Sequence, residues 1–444
     1  MNNEENLDLT NDDSSSESSS NKSSYNSYDD SDSDDELYYC NKKFKNRILK
    51  SKASKIDEDD FLRYERKYRN MDSLYAEEAC VTLPESTKLD IKCISCSGIA
   101  NIENIHIFPN LKELQCLEEY YEDKFIAWLY PIEPKFLIHN QKLKYLHCYF
   151  YNFEGLTELK NIKSITYTSM FGDGPYDAIV KYDQIFVYSF QNRNSYKEIN
   201  DYIYNNIFKQ KTEKVIPEST IMDPSIIYEL NYPYYSHGNT KSYKGLEKIT
   251  NILSCDFSNI SLCNITTDDA PYFQNIVNWR QGGGRFNEDM EEFVNVFPNI
   301  EILHFDYGYH NYDLFSNLEI YVPNLKVLSI FDEGTVIFDE RKTHKYCEDH
   351  NSENHECTYT DFRDDIVNSI SNLDKLEIFI YEYCVNISDT CIFSIKRFLR
   401  ILENLNNLKY FYIVDFRECK ERKIIPLDEI NDKCKEKGIK FFHN

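Results

Sequence analysis

Apolar residues recur along this chain in one local order, Leu-x-x-Leu-x-Φ, where Φ is apolar or aromatic, and the order appears at least seven times. The copies stand at Leu111/Leu114/Cys116, Leu143/Leu146/Cys148, Ile162/Ile165/Tyr167, Ile300/Leu303/Phe305, Leu325/Leu328/Ile330, Leu376/Phe379/Tyr381 and Leu408/Phe411/Ile413. Their polar leads repeat as well: Phe108-Pro109-Asn110, Phe297-Pro298-Asn299, Val322-Pro323-Asn324 and Leu405-Asn406-Asn407. A unit of one short strand and one helix cannot bury its apolar face alone, so the copies are expected to stack over a shared core.

Helical spacing fills the linkers. Ser388 to Leu405 predicts a helix capped by Ser388, with Ile392, Ile395, Phe398, Leu399, Leu402 and Leu405 in one stripe. Residues 287–296 repeat the scheme with Asn287 as cap, and 427–437 predict a helix that Gly438 ends before a last strand, Ile439–Phe442. From Phe61 to Leu74 the spacing is helical and suits a cap on an open end, whereas Leu89, Ile91 and Cys93 alternate as a first strand. First positions lie 32 and 19 residues apart between Leu111 and Ile162, and 25, 51 and 32 apart between Ile300 and Leu408, which scatters around a unit in the twenties. The pattern weakens over 169–295, where Ile252-x-x-Cys255-x-Phe257 reads as an eighth copy and Tyr182–Phe190 as a strand.

Charge divides the chain. Of the net −25, residues 1–36 hold −11, leaving −14 for the other 408. That segment is acidic, Ser-rich and almost without apolar residues, so residues 1–60 are read as a disordered acidic tail and basic linker and 61–444 as the folded repeat region. Within the latter, 108–168 and 296–415 hold the clearest repeats, 332–361 an insertion loop and 427–444 a C-terminal cap. An acidic body argues against nucleic acid as a partner, and the lack of a long apolar run argues against a membrane span. A cytoplasmic location follows, with nuclear import through the basic cluster 42–55 as the alternative. The 14 cysteines are then expected to be reduced core filler. Ser31 and Ser33, each followed by acids, suit an acidophilic kinase.

These motifs resemble the leucine-rich-repeat family, in the irregular, helix-containing form found in giant-virus and amoebal proteins with and without an F-box. The resemblance implies an α/β solenoid, with parallel strands on one face and helices or irregular linkers on the other. It further implies a non-enzymatic role in protein–protein interaction with no cofactor, through a partner and in an oligomeric state that the sequence does not specify. The alternative is an F-box-like adaptor of a ubiquitin ligase, which requires residues 61–85 to form a helical module. Two departures from the family stand out: the Asn or Cys that follows the family's strand is irregular here, with Asp306-Tyr307-Gly308 after Phe305, and no F-box helical run follows Leu83-Pro84-Glu85.

Strand alternation sends Gln115, His147, Thr166, His304, Ser329, Ile380 and Tyr412 out of the strand face, flanked by Leu117, Tyr149, Thr168, Asp306, Phe331, Glu382 and Val414. His147, Tyr149, His304, Asp306, Phe331, Glu382 and Tyr412 are the candidate binding residues, the aromatics being favourable contact residues when exposed. His344, Cys347, His350, His355 and Cys357 are zinc-type ligands, but their spacing matches no standard pairing and a solvated loop is the expectation. Cys93-x2-Cys96 reads as core strand. His304, Asp306 and Ser329 invite a triad reading, yet no strained elbow or oxyanion loop accompanies them, so no catalytic residue is assigned. The Arg280–Arg285 loop holds three glycines without the Lys-Ser/Thr of a phosphate-binding loop.

Overall fold

The computed structural model describes residues 48–50, 55–67, 72–116, 132–148, 150, 152–168, 175–177, 179–182, 193–213, 216–231, 243–256, 267–281, 296–307, 316–332, 362–383, 394–415 and 427–443. The acidic tail, Tyr149, Gly282–Gly284, the expected 287–295 helix and the five zinc-type residues between His344 and Cys357 lie outside them.

The fold is mixed α/β with two sheets built mainly of parallel strands. The first sheet contains β1 (Ile48–Lys50), β2 (Lys55–Ile56), β3 (Ser73–Val81), β4 (Cys93–Ile99), β5 (Glu113–Cys116), β6 (Tyr145–His147), β7 (Ser164–Thr168) and β8 (Pro175–Asp177). From β3 to β7 each strand pairs in parallel with the next one in sequence. The second sheet runs in chain order through β9 (Ile179–Lys181), β10 (Tyr228–Asn231), β11 (Ile252–Asp256), β12 (Asn278–Gln281), β13 (Ile302–Tyr307), β14 (Val327–Asp332), β15 (Ile378–Tyr383), β16 (Tyr410–Asp415) and β17 (Lys440–His443). Among the described strands only β7–β8 and β9–β10 pair antiparallel, so a change of strand direction separates the two parallel runs. The divergent middle of the sequence thus contributes three parallel strands, β10 to β12, in addition to this reversal.

Cross-strand register explains the repeating motif. Its second Leu falls in one row across the second sheet: Cys255, Trp279, Leu303, Leu328, Phe379, Phe411 and Phe441. Leu74, Ile94, Leu114, Leu146 and Ile165 make the matching row in the first. Both rows belong to one core cluster with the linker residues, and Phe379 and Phe411 stack within it at 5.4 Å. Each side chain buried there contributes roughly 1.5–3 kcal/mol of transfer free energy.

The polar leads build a second, hydrogen-bonded ladder. Phe108, Phe297 and Val322 each accept the N–H of the residue three positions on, so every Pro-Asn pair fills the middle of a β-turn. The residue before each motif then reaches back one repeat: Asn275 Nδ2 donates to the Glu247 carbonyl at 2.9 Å, Asn299 to Gln274 at 2.7 Å and Asn407 to Asp374 at 2.5 Å. Lys375 donates to Asn324 Oδ1 at 2.5 Å in the same position. The side-chain bonding along the repeat turns is therefore carried ahead of the strand rather than after it.

The described α-helices are α1 (Glu58–Lys67), α2 (Arg193–Ile203), α3 (Lys209–Thr212), α4 (Leu318–Tyr321), α5 (Phe362–Ser371), α6 (Ile395–Asn404) and α7 (Asp428–Lys437); the π-helical turn Tyr204–Phe208 joins α2 to α3, and short 3-10 helices such as Ile102–Ile107 and Thr267–Phe273 fill other linkers. Of these, α1, α5, α6 and α7 place Phe61, Ile366, Phe398 and Ile430 in the core. The last helix ends as read, with Gly438 left-handed at φ 70° before β17, and Lys437 Nζ donates to the carbonyls of Leu402, Glu403 and Leu405.

Three expectations change. The helix read from Phe61 to Leu74 covers only Glu58–Lys67, because Leu74 belongs to β3; residues 73–81 of the segment expected to be helical in an adaptor are likewise strand. The first recognised strand starts at Cys93 rather than Leu89; Cys93 and Cys96 are both fully buried in it, with Ile94 and Cys96 in the main core cluster. The α6 helix begins at Ile395 after Ser394, whose extended backbone makes no side-chain cap bond, and Ser388 lies outside the described residues.

We expect Leu328→Ala to lower stability by about 2–5 kcal/mol in urea titrations, because Leu328 is fully buried in the central row. Leu62→Ala on the exposed face of α1 should stay within about 0.5 kcal/mol.

Candidate functional site

Alternation fixes what lies on the strand face, opposite the core row. Across the second sheet, Asp256, Arg280, His304, Ser329, Ile380, Tyr412 and Phe442 form one register row. A second row nearer the strand starts comprises Glu229, Ser254, Asn278, Ile302, Val327, Ile378 and Tyr410. Half of this face is polar and the other half, toward β16, is apolar.

The polar half is a buried network. Ser254 Oγ donates to Glu229 Oε2 at 2.6 Å and accepts from Asn278 Nδ2 at 2.7 Å. Arg280 Nη1 lies 3.8 Å from Glu229 and 3.6 Å from Asp256, so one guanidinium stands between two carboxylates. His304 Nδ1 and Ser329 Oγ are hydrogen-bonded at 2.9 Å. Burial, reinforced by the Arg280 charge, pushes His304 down to about 3 and keeps it neutral at physiological pH. Burial raises Glu229, and the Asp256 charge adds to this against the pull of Arg280. The neighbouring Tyr182 hydroxyl is raised well above its ordinary range, again by burial.

The other half of the face is covered. Helix α2 and the π-turn cross the strand starts, packing Ile199, Ile203, Ile207 and Phe208 with Leu253, Val277, Ile302, Val327, Ile378, Tyr410 and Tyr412, and α3 follows at the margin with no buried side chain. Spacing of four residues drifts around an α-helix by roughly 40° per step, and a π-turn winds less per residue, so the turn at Tyr204–Phe208 helps hold the stripe on one side. Polar contacts flank the stripe. The Tyr202 hydroxyl donates to Glu377 at 2.8 Å, Lys211 pairs with Glu301 at 2.8 Å, and Lys440 pairs with Glu198. Lys326 also pairs with Glu301 at 2.7 Å; burial alone would raise that carboxyl, but hydrogen bonds from the two lysines hold it below its usual range. Tyr202 packs on Tyr410 at 5.0 Å between ring centres.

His304 and Tyr412 leave the sheet on the strand face, but the face is not open there: they are 2% and 1% exposed. Glu382 is buried and Phe331 is half-buried in the flanking row. Asp306 lies in β13 next to Phe331 in register, and its side chain is outside the described residues, as is all of Tyr149. His147 is buried in the first sheet, where Gln115 donates to Glu113 at 2.7 Å and His147 Nε2 lies 4.0 Å from the same carboxylate. Of the His304, Asp306 and Ser329 constellation, the His–Ser hydrogen bond is present inside a buried network.

Among the described residues no group of three or more His, Cys, Asp or Glu side chains is arranged to hold a metal ion, and no helix is long and apolar enough to cross a membrane. The described cysteines are free thiols, all buried except the half-buried Cys80. Cys96 and Cys116 approach to 3.9 Å, and that hydrogen bond, with burial, raises the Cys96 thiol far above its ordinary range. Sequence reading missed Glu229, Asp256 and the 193–212 segment. The signal for the last was present in Ile199, Ile203 and Ile207, four apart, without a Pro-Asn lead. No protein-family model matches the chain, and no curated protein matches it.

Tyr412→Ala should cost about 3–5 kcal/mol, as for other buried aromatics, rather than acting on binding alone. An unfolded His304 titrates near 6.5 and the folded one near 3, so between these values the unfolded chain binds more protons and stability falls as pH falls. Glu229, raised in the fold, acts in the opposite direction over its own range. Replacing His304 with Asn should therefore reduce the loss of urea midpoint between pH 6.5 and 5, and an unchanged slope would contradict the buried neutral histidine.

Proposed function

We propose that this chain is a non-enzymatic repeat scaffold of leucine-rich-repeat type that binds another protein through the strand face of a solenoid. The observation that carries the reading is the helical segment 193–212 lying across the starts of the strands, with an apolar stripe on an apolar floor and charged contacts at both margins. A face that already holds a helix has the chemistry of a protein-binding surface: a continuous apolar strip, aromatic anchors and a charged rim. Further support comes from the eight parallel strands β10 to β17, whose in-register rows give that face continuity over many repeats. In this reading the buried Arg280 network organises the polar end of the face, and the half-buried aromatic side chain of Phe331 is a contact residue there. The acidic composition favours protein over nucleic acid as partner, and the cytoplasm is the compartment that suits reduced thiols.

The test is affinity capture from lysate of cells that make the protein, comparing the full chain with its Phe331→Ala variant at matched thermal midpoint. A protein retained by the first and lost, or weakened at least tenfold, with the second supports strand-face binding. The same set of captured proteins from both would count against it.

A further inference from the structure

We infer that residues 193–212 are an internal stand-in for a partner helix: the strand starts of β11–β16 form a docking site for an amphipathic helix, which binds by displacing this segment. The inference rests on the strand-face reading above and adds the partner's chemistry and the way access is regulated.

The covering segment is separable from the sheet on physical grounds. Its backbone is helical through Arg193–Thr212 and so, apart from the groups at its two ends, satisfies its own hydrogen bonds, while the strands beneath pair with each other. The contacts between them are side chain to side chain. Lifting the helix away would leave a strip of aliphatic and aromatic side chains from Leu253 to Tyr410 bare, together with Glu301, Glu377 and Lys440 at its margins. An exposed strip of that kind is a recognition surface for a helix.

The bound segment also specifies what fits. The required helix carries aliphatic residues four apart, as Ile199, Ile203 and Ile207 are, with a large aromatic next to the last, as Phe208 is. An acid near its start faces Lys440 and a base near its end faces Glu301, as Glu198 and Lys211 do. A hydroxyl on the flank reaches Glu377, as that of Tyr202 does. Because 193–212 is tethered to its site, an incoming helix competes with an effective concentration on the order of millimolar. The wild-type chain is thereby held in a low-affinity state that any weakening of the tethered helix relieves.

The probe is a synthetic fluorescein-labelled peptide spanning residues 193–213, titrated with the full chain and followed by anisotropy. Lys211→Glu in the protein sets a like charge against Glu301 and weakens only the tethered copy, so the peptide should bind this variant at least tenfold more tightly than wild type. A peptide carrying Ile203→Asp should bind neither. Equal affinity for the two proteins, or no binding to either, overturns the proposal. If Lys211→Glu does not fold, hydrogen exchange on the wild-type chain decides. Amides of 193–212 should exchange through a local opening at least tenfold faster than those of β14 and β15, and exchange only with global unfolding makes the segment a permanent part of the core. A Phe331-dependent partner whose capture is insensitive to Lys211→Glu would leave strand-face binding standing and remove the displacement mechanism alone.

Discussion

The in-register row from Cys255 through Leu303, Leu328 and Phe411 to Phe441 is the constraint on which the rest of the structure depends. A strand of four to six residues offers only two or three side chains to one face, too few to offset the ordering of its backbone. Stacking one such strand on the next makes each row an uninterrupted apolar ridge. The linker helices then cover it from one side. Register cannot slip by one residue without moving the whole ridge to the opposite face. Asparagines in the turns, reaching back to the previous repeat, add a second ladder that holds the same spacing.

Once the core row is set, alternation leaves the opposite row no freedom. It delivers Asp256, Arg280, His304 and Ser329 side by side at one end, and Ile380 and Tyr412 at the other. Buried charge is costly unless paired, and here the arginine is shared by two carboxylates while the histidine stays neutral. The apolar end would be an exposed strip were it not for helix 193–212. Charge network and covering helix are two local answers to the same problem, a strand face too continuous to leave open.

How much of this the sequence revealed follows from the range of the interactions. Motifs such as Leu325-Lys326-Val327-Leu328-Ser329-Ile330 announce their strand because alternation and the Pro-Asn turn are local, and the closing helix and strand were legible around Gly438, which ends the one before the other begins. The identity of the outward row was legible for the same reason. Its burial was not, because what covers Tyr410 and Ile378 comes from a segment far away in sequence. Glu229 and Asp256 were likewise silent, each alone resembling a surface charge, and Arg280 was read as the start of a glycine loop although it lies in β12; the three meet only when strands without the full motif align. Leu74 shows the opposite failure, where helical spacing from Phe61 continued by coincidence into a strand.

The central claim is that 193–212 lies on the strand face, and a double-mutant cycle between Tyr202→Phe and Glu377→Gln tests it most directly, since the two residues are 175 positions apart and joined by one 2.8 Å hydrogen bond. The account predicts a coupling of about 0.5–1.5 kcal/mol in urea-unfolding free energy. Effects that add within about 0.3 kcal/mol would mean that the two side chains do not meet and that the helix does not cover this face.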